Sequence, residues 1–157
     1  MEKILVSSCF LGDNVRYNAK IKALSHHYLT LWHNQGRLVK VCPEVAGGLP
    51  TPRPAAEILP STGRIMTAQG QDVSQAFHQG AYYAQQLCQK HNIAFALLKE
   101  SSPSCGSQWV YDGSFNQKKI IGQGITARLL SAQGIQVFSE DTIEQLANAL
   151  ATQTKNQ

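Results

Sequence analysis

Long hydrophobic runs, clustered basic charge and closely paired cysteines are all missing from this chain of 157 residues. No stretch of eighteen or more apolar residues occurs, so the sequence predicts no membrane-spanning helix. The N-terminal residues 1–6 become polar too soon for a secretory signal and instead predict a strand. These absences favour a cytoplasmic protein, and the length suits a single domain over residues 1–157.

Strong net charge is also absent. The chain carries +4, its 14 basic residues are scattered, and Lys118-Lys119 is the only adjacent pair. Such a distribution is typical of a solvated surface and does not indicate a dedicated nucleic-acid-binding protein. A mildly positive chain can still accept an anionic substrate or an RNA.

Short apolar runs alternate with amphipathic segments along the chain. We predict strands at 3–8, 37–42, 94–99 and 135–138, helices at 22–35, 74–91, 125–133 and from Asp141 onward, and a long proline-rich loop at 43–60. This alternation predicts an α/β fold, a Rossmann-like three-layer domain with a mostly parallel sheet and helices on both faces. The polar tail, about residues 152–157, is expected to fray.

Three of the four cysteines follow predicted strands. Cys9 comes just after the first, Cys42 ends the second, and Cys105 lies in the loop after the third. Ligands of open α/β sheets bind beyond the carboxyl ends of the strands, and neighbouring strands lie about 5 Å apart. We therefore expect these three thiols in one pocket. Cys88 falls on the apolar stripe of a predicted helix, which is typical of a core residue.

Three thiols at a sheet edge leave several chemistries open. They could be small buried residues capping the sheet, although four cysteines in a reducing compartment more often indicate a metal or catalysis. A structural zinc site favours four ligands and C-x2-C spacings, which are absent. A catalytic thiol needs an activating partner, yet the five histidines fall on predicted helices away from this edge: His26, His27, His33, His78 and His91. An iron–sulfur cluster on three thiolates would leave one iron open to a substrate.

The first two loops beside the cysteines carry further candidates. Arg16 could clamp an anion or a planar carbonyl, and Tyr17 could stack or donate a hydrogen bond, although a surface turn is the simpler alternative. Glu44, two residues after Cys42, is placed for proton transfer. Arg53 lies between two prolines and suits either anion recognition or a structural ion pair.

The third loop is rich in serine. Ser101, Ser102 and Ser104 precede Cys105, and their hydroxyls could donate to cluster sulfurs or to a substrate carbonyl. Serines are common in turns, so any one of them is weak evidence by itself.

Six segments together resemble the DUF523 family: residues 6–12, 15–17, 42–54, 98–106, 111–113 and 124–127. The sequence CPEVAGGLPTPRP at 42–54 is the most specific of them, and the resemblance covers roughly residues 3 to 140. It implies a thiouracil desulfidase with an oxygen-sensitive [4Fe-4S] cluster on Cys9, Cys42 and Cys105. The open iron would bind the sulfur of a small thiolated nucleobase, and water would replace that sulfur. The resemblance also implies Glu44 as the catalytic acid and Ser102 as the catalytic serine.

The chain departs from the family pattern in two places. Asn18-Ala19-Lys20 stands where a glycine-rich continuation is usual, and Phe10 replaces a commoner leucine. The first change could alter the pocket rim and hence the substrate, so a thiolated nucleoside or tRNA remains a possible partner.

Two other functions stay open at this point. One is a cluster- or metal-binding module that recognises thiolated tRNA or senses redox state without turnover. The other is a plain cysteine hydrolase. The sequence indicates no obligate protein partner.

Overall fold

A four-stranded parallel sheet forms the centre of the computed structural model, which describes residues 1–20 and 23–155. Its strands lie in the order β2-β1-β5-β8, and every neighbouring pair is parallel. The four strands are β1 (Ile4–Ser7), β2 (Leu38–Val41), β5 (Phe95–Leu98) and β8 (Gln136–Ser139). Two antiparallel pairs lie outside this sheet: β3 (Ala56–Ile58) with β4 (Ile65–Thr67), and β6 (Trp109–Tyr111) with β7 (Lys119–Ile121).

The described residues also form five α-helices. They are α1 (His27–Asn34), α2 (Pro43–Ala46), α3 (Ser74–His91), α4 (Ile125–Ala132) and α5 (Ile143–Lys155). No helix in the described part of the chain combines the length and the apolar character needed to cross a membrane.

The two faces of the sheet bury separate hydrophobic cores. Successive side chains of a strand point to opposite faces, so Ile4 and Val6 of β1 pack with residues of α1 and α5. Leu5 points the other way and packs with residues of α3 and α4. Helices therefore cover both faces, which confirms the predicted three-layer α/β fold with a parallel central sheet.

Most predicted elements are confirmed, and the predicted helix at 74–91 coincides with α3. The helix predicted at 22–35 is shorter, because α1 begins at His27; residue 22 lies outside the described residues. The last helix begins at Ile143 after a short 3-10 turn, Glu140–Thr142, that Ser139 caps.

One prediction about an irregular segment was wrong. The segment 43–60 is not a continuous loop, because Pro43 starts a helical turn, where its fixed φ suits the first position, and β3 pairs with β4. Residues 152–155 continue α5, where the Thr152 hydroxyl donates to the Asn148 carbonyl at 3.0 Å, and the fraying expected of the tail stays a prediction. Residues 156–157 lie outside the described part.

Candidate functional site

Three cysteines follow three adjacent strands of the sheet. Cys42 comes directly after β2, Cys9 lies in the 3-10 turn Ser8–Leu11 after β1, and Cys105 lies in the loop after β5. Cys9 belongs to the core on one face, whereas Cys105 belongs to the core on the other. The two thiols therefore approach the carboxyl edge of the sheet from opposite sides, at the place where ligands of open α/β sheets bind.

The three thiols are close enough to perturb one another. Burial raises the pKa of Cys9 to about 11, and the neighbouring Cys42 contributes to the rise. Burial likewise raises the pKa of Cys42 and of Cys105, with Glu44 adding to both. Both Cys42 and Cys9 raise the pKa of Cys105 further. A group of buried thiols that resists ionisation becomes a set of thiolates when a metal centre displaces the protons.

The all-sulfur donor set of these three cysteines fits an iron–sulfur cluster. Within residues 1–20 and 23–155, no three histidine, cysteine or carboxylate side chains converge closely enough to hold one ion. In a cubane cluster each protein thiolate binds a different iron atom, so the sulfurs need not converge on one point. An all-sulfur donor set is also the set that iron–sulfur clusters prefer.

Helix α3 holds the segment that carries Cys42. A Cβ built on Gly80 would lie 1.8 Å from the Pro43 carbonyl oxygen, and a Cβ on Gly47 would lie 1.9 Å from a carbonyl oxygen of α3. Because real Cβ contacts are much longer, glycine at both positions allows α2 to lie directly against α3. This packing fixes Cys42 at the start of α2 and Glu44 one residue inside it.

Glu44 and Arg53 form an ion pair beside the cysteines. The Nε of Arg53 donates to Oε1 of Glu44 at 3.2 Å. The side chain of Glu44 is 17% exposed and that of Arg53 is 5% exposed. Burial raises the pKa of Glu44, and the charge and hydrogen bond of Arg53 oppose that rise. The guanidinium also donates to Pro50 O, Thr51 Oγ1 and Val15 O at 3.0–3.2 Å. These contacts support the structural ion-pair alternative for Arg53.

Among the three candidate serines, Ser102 is the most accessible. It is half-buried, and its hydroxyl oxygen accepts the Cys105 N–H at 2.6 Å, which leaves the hydroxyl proton to be donated elsewhere. Ser104 is fully buried and hydrogen-bonded to the Thr126 hydroxyl at 2.7 Å. Ser101 is buried and has a φ of 73°. Ser104 and Ser101 therefore support the loop from inside.

Arg16 and Tyr17 lie at the rim of this edge. Arg16 is half-buried. Burial raises the pKa of Cys9, and the charge of Arg16 offsets part of that rise. Tyr17 is 44% exposed, and its carbonyl accepts the Arg53 N–H at 2.7 Å. In the unusual segment that follows, Ala19 has a φ of 58°, a left-handed conformation that favours glycine.

Charged residues at the end of β5 had no predicted role. The Nζ of Lys99 lies 2.7 Å from Oε2 of Glu140, and both charges act on Cys9. Glu100 is buried, and its carboxylate accepts hydrogen bonds from the loop that carries Cys105. The signal in the sequence was present, because two charged residues directly follow a buried strand at the ligand edge.

The histidines lie where the sequence predicts them. His26 caps α1, and the others lie in α1 (His27, His33) or in α3 (His78, His91). Cys88 is a buried residue of α3, as expected.

Comparisons with known proteins identify the family of this chain. The sequence model of the 2-thiouracil desulfurase family matches residues 4–142. YbbK of Bacillus subtilis (strain 168), described as an uncharacterized protein, is 40% identical over 151 residues, which cover 91% of this chain and 99% of YbbK. The solved structure of TudS (DUF523), a [4Fe-4S]-dependent thiouracil desulfidase, matches with a TM-score of 0.93 and 48% identity, over 97% of this chain and 99% of that one. The chain therefore belongs to the 2-thiouracil desulfurase family.

Proposed function

We propose that this protein is a [4Fe-4S]-dependent desulfidase that converts thiouracil and water into uracil and sulfide. The observation that carries the proposal is the meeting of Cys9, Cys42 and Cys105 at one edge of the sheet, next to the half-buried Glu44. Membership of the desulfurase family and 48% identity to TudS support it.

The three cysteines would hold the cluster through their thiolates. When bound, a cluster with three protein ligands supplies an open, thiophilic iron that acts as a Lewis acid toward the thiocarbonyl sulfur. No fourth protein ligand is needed for this arrangement.

Glu44 is the proposed proton carrier. In the reaction the C–S bond of the base breaks, a C–O bond to water forms, and the two water protons end on the departing sulfide. A carboxyl group can take a proton from the attacking water and deliver one to the leaving sulfur. Glu44 suits both steps because it lies beside Cys42 and Cys105. Its orientation is fixed by the ion pair with Arg53.

We assign the other site residues by their exposure and contacts. Ser102 is the proposed catalytic serine, since the residue is half-buried and its hydroxyl, bound to the Cys105 N–H, can relay or donate a proton. Arg16 and Tyr17 are the proposed substrate contacts at the rim. Ser101, Ser104 and Arg53, also expected to bind substrate, are better suited to positioning because they are buried and bonded to protein groups.

The proposed substrate is a free thiolated base, and the proposed compartment is the cytoplasm. The basic residues are scattered along the sequence, a pattern that does not favour a dedicated polynucleotide-binding protein. The four cysteines are unpaired, which suits a reducing compartment. A thiolated nucleoside or tRNA remains a substrate to be compared.

The test is anaerobic reconstitution followed by iron and sulfide analysis and turnover of 2-thiouracil, 4-thiouracil and a thiolated tRNA. We expect about four irons per chain and release of sulfide from a free base. Glu44→Gln should retain iron and lose turnover, whereas Glu144→Gln, at a side chain 64% exposed, should retain both. An iron-free protein, or one that binds thiolated tRNA and turns over nothing, would overturn the proposal.

A further inference from the structure

One buried carboxylate accepts hydrogen bonds from several backbone N–H groups of the loop that carries Cys105. Glu100 is 7% exposed and lies two residues after the end of β5. Its Oε1 accepts four backbone N–H groups and its Oε2 accepts one hydroxyl: Ser101 N at 3.1 Å, Ser107 N at 2.8 Å, Gln108 N and Trp109 N at 3.2 Å, and Ser107 Oγ at 2.6 Å.

The ionised form of Glu100 is the form that these contacts need. Burial by itself would raise the pKa of Glu100, but the hydrogen bonds from Ser107, Gln108, Ser101 and Trp109 together hold it below its usual value. A carboxylate only accepts hydrogen bonds, so it matches an environment made only of donors.

The donors lie on both sides of Cys105 in the chain. Ser101 precedes it, and Ser107 to Trp109 follow it, so the carboxylate closes the loop around its own side chain. Ser101 has a φ of 73°, which is unfavourable for a residue with a Cβ, and its N–H is one of those bound. The loop conformation therefore depends on contacts that Glu100 supplies.

Glu100 also ties this loop to the neighbouring site. Its own N–H donates to Oε1 of Glu140 at 2.7 Å, and the other oxygen of Glu140 pairs with Lys99. Both Glu140 and Lys99 act electrostatically on Cys9. Through its backbone N–H and its carboxylate together, Glu100 thus links the surroundings of Cys9 to the loop of Cys105.

We infer that Glu100 is a positioning residue: it closes the loop that presents Cys105 and Ser102, and so fixes the Cys105 sulfur relative to Cys9 and Cys42. The inference rests on the proposed function only for the identity of the group that Cys105 holds.

A second buried carboxylate provides a matched control. Glu57 in β3 is 9% exposed and accepts the N–H groups of Gly113 at 3.0 Å and Phe115 at 3.2 Å. It anchors the turn between β6 and β7, which contains no cysteine. Glu57→Gln therefore removes the same kind of contact from a segment outside the site.

The first test uses the metal-free protein and follows alkylation of each cysteine by iodoacetamide with mass spectrometry. Cys105 is 5% exposed and should react slowly in the parent protein. We expect Glu100→Gln and Glu100→Ala to speed alkylation of Cys105 by about tenfold or more, as expected for loss of a charge-assisted contact. Cys88, buried in α3, reports global unfolding and should stay unreactive in both variants and in Glu57→Gln.

The second test uses reconstituted protein and measures iron release to a chelator. Loss of a group that orients metal ligands costs about 10–100-fold in metal affinity, and we expect an acceleration of that order in the Glu100 variants only. Parent-like Cys105 alkylation and iron retention would overturn the inference. So would a parallel rise in Cys88 alkylation in both Glu100 variants, since that outcome is general destabilisation. If the parent protein binds no iron, the proposed function fails while the alkylation test still decides the role of Glu100.

Discussion

Replacing Gly80 by alanine tests whether the packing of α2 on α3 controls the active-site segment. The new Cβ would lie 1.8 Å from the carbonyl oxygen and 2.6 Å from the carbonyl carbon of Pro43, below the 3.0 Å that real Cβ atoms respect. Both clashing atoms are backbone, so no side chain can rotate away. Pro43 must move by roughly 1 Å, and a misplacement of that size near the chemistry can cost about 100-fold in rate.

The effect on stability should be smaller than the effect on activity. Overpacking costs about 1–3 kcal/mol, while alanine in a helix interior recovers about 1 kcal/mol relative to glycine. The net loss of about 0–2 kcal/mol corresponds to a fall in Tm of a few degrees for a chain of this size. A 100-fold fall in kcat/KM corresponds to about 2.7 kcal/mol of transition-state stabilisation.

The assay combines anaerobic initial rates with thiouracil, iron content and thermal unfolding followed by circular dichroism. Gln79→Ala, at the exposed neighbour on the same helix, should behave as the parent protein. Gly47→Ala creates a clash of 1.9 Å from the opposite helix and should reproduce the phenotype of Gly80→Ala. A Gly80→Ala variant with parental kcat/KM would refute the argument that this contact positions Cys42 and Glu44.

Three further predictions concern separate parts of the molecule. Cys105→Ala should abolish iron binding, whereas Cys88→Ala should keep the iron and lose about 1 kcal/mol of stability as a core substitution; iron analysis and Tm distinguish the two, and a loss of iron in Cys88→Ala would contradict the assignment. Arg16→Ala should raise KM for thiouracil while iron content stays at the parental level, because its charge faces the pocket from the rim; an unchanged KM would exclude a substrate contact. The ionised Glu100 has a pKa below the ordinary value of 4.5, so it contributes stability that is present above about pH 4.5 and lost as the pH falls through its folded pKa. Tm measured across that range should therefore fall less steeply in Glu100→Gln than in the parent protein, and parallel curves would show that Glu100 does not carry this dependence.

The sequence predicted the central features of the site because those features depend on local patterns. Short apolar runs separated by amphipathic segments indicate parallel strands, and the carboxyl ends of parallel strands share one edge of a sheet. Cys9, Cys42 and Cys105 follow such runs, so their meeting could be inferred before any contact was known. Cys88 could be assigned to the core for a similar reason, since it shares a helical stripe with apolar residues, and its burial confirms this.

The antiparallel pairs could not be predicted in the same way. Each of their strands has three residues, and β7 is exposed along its whole length, so neither an apolar run nor an alternating pattern marks it. In the segment 43–60 the prolines favoured a loop, yet Pro43 also suits the first position of a helix. In both cases tertiary contacts, and not local sequence patterns, determine the secondary structure.

The sequence by itself therefore determined the α/β architecture, the three cysteines of the site and, through family resemblance, the chemistry expected of them. Only the tertiary structure decided which charged groups act on the site and how. Arg53 binds Glu44 and Val15, and Glu100 binds amides on both sides of Cys105. Such contacts depend on glycine-mediated packing of α2 on α3 and on how a loop closes. Local propensity does not predict these contacts, because the energy of a buried charge depends on the hydrogen-bond donors that the whole fold places around it.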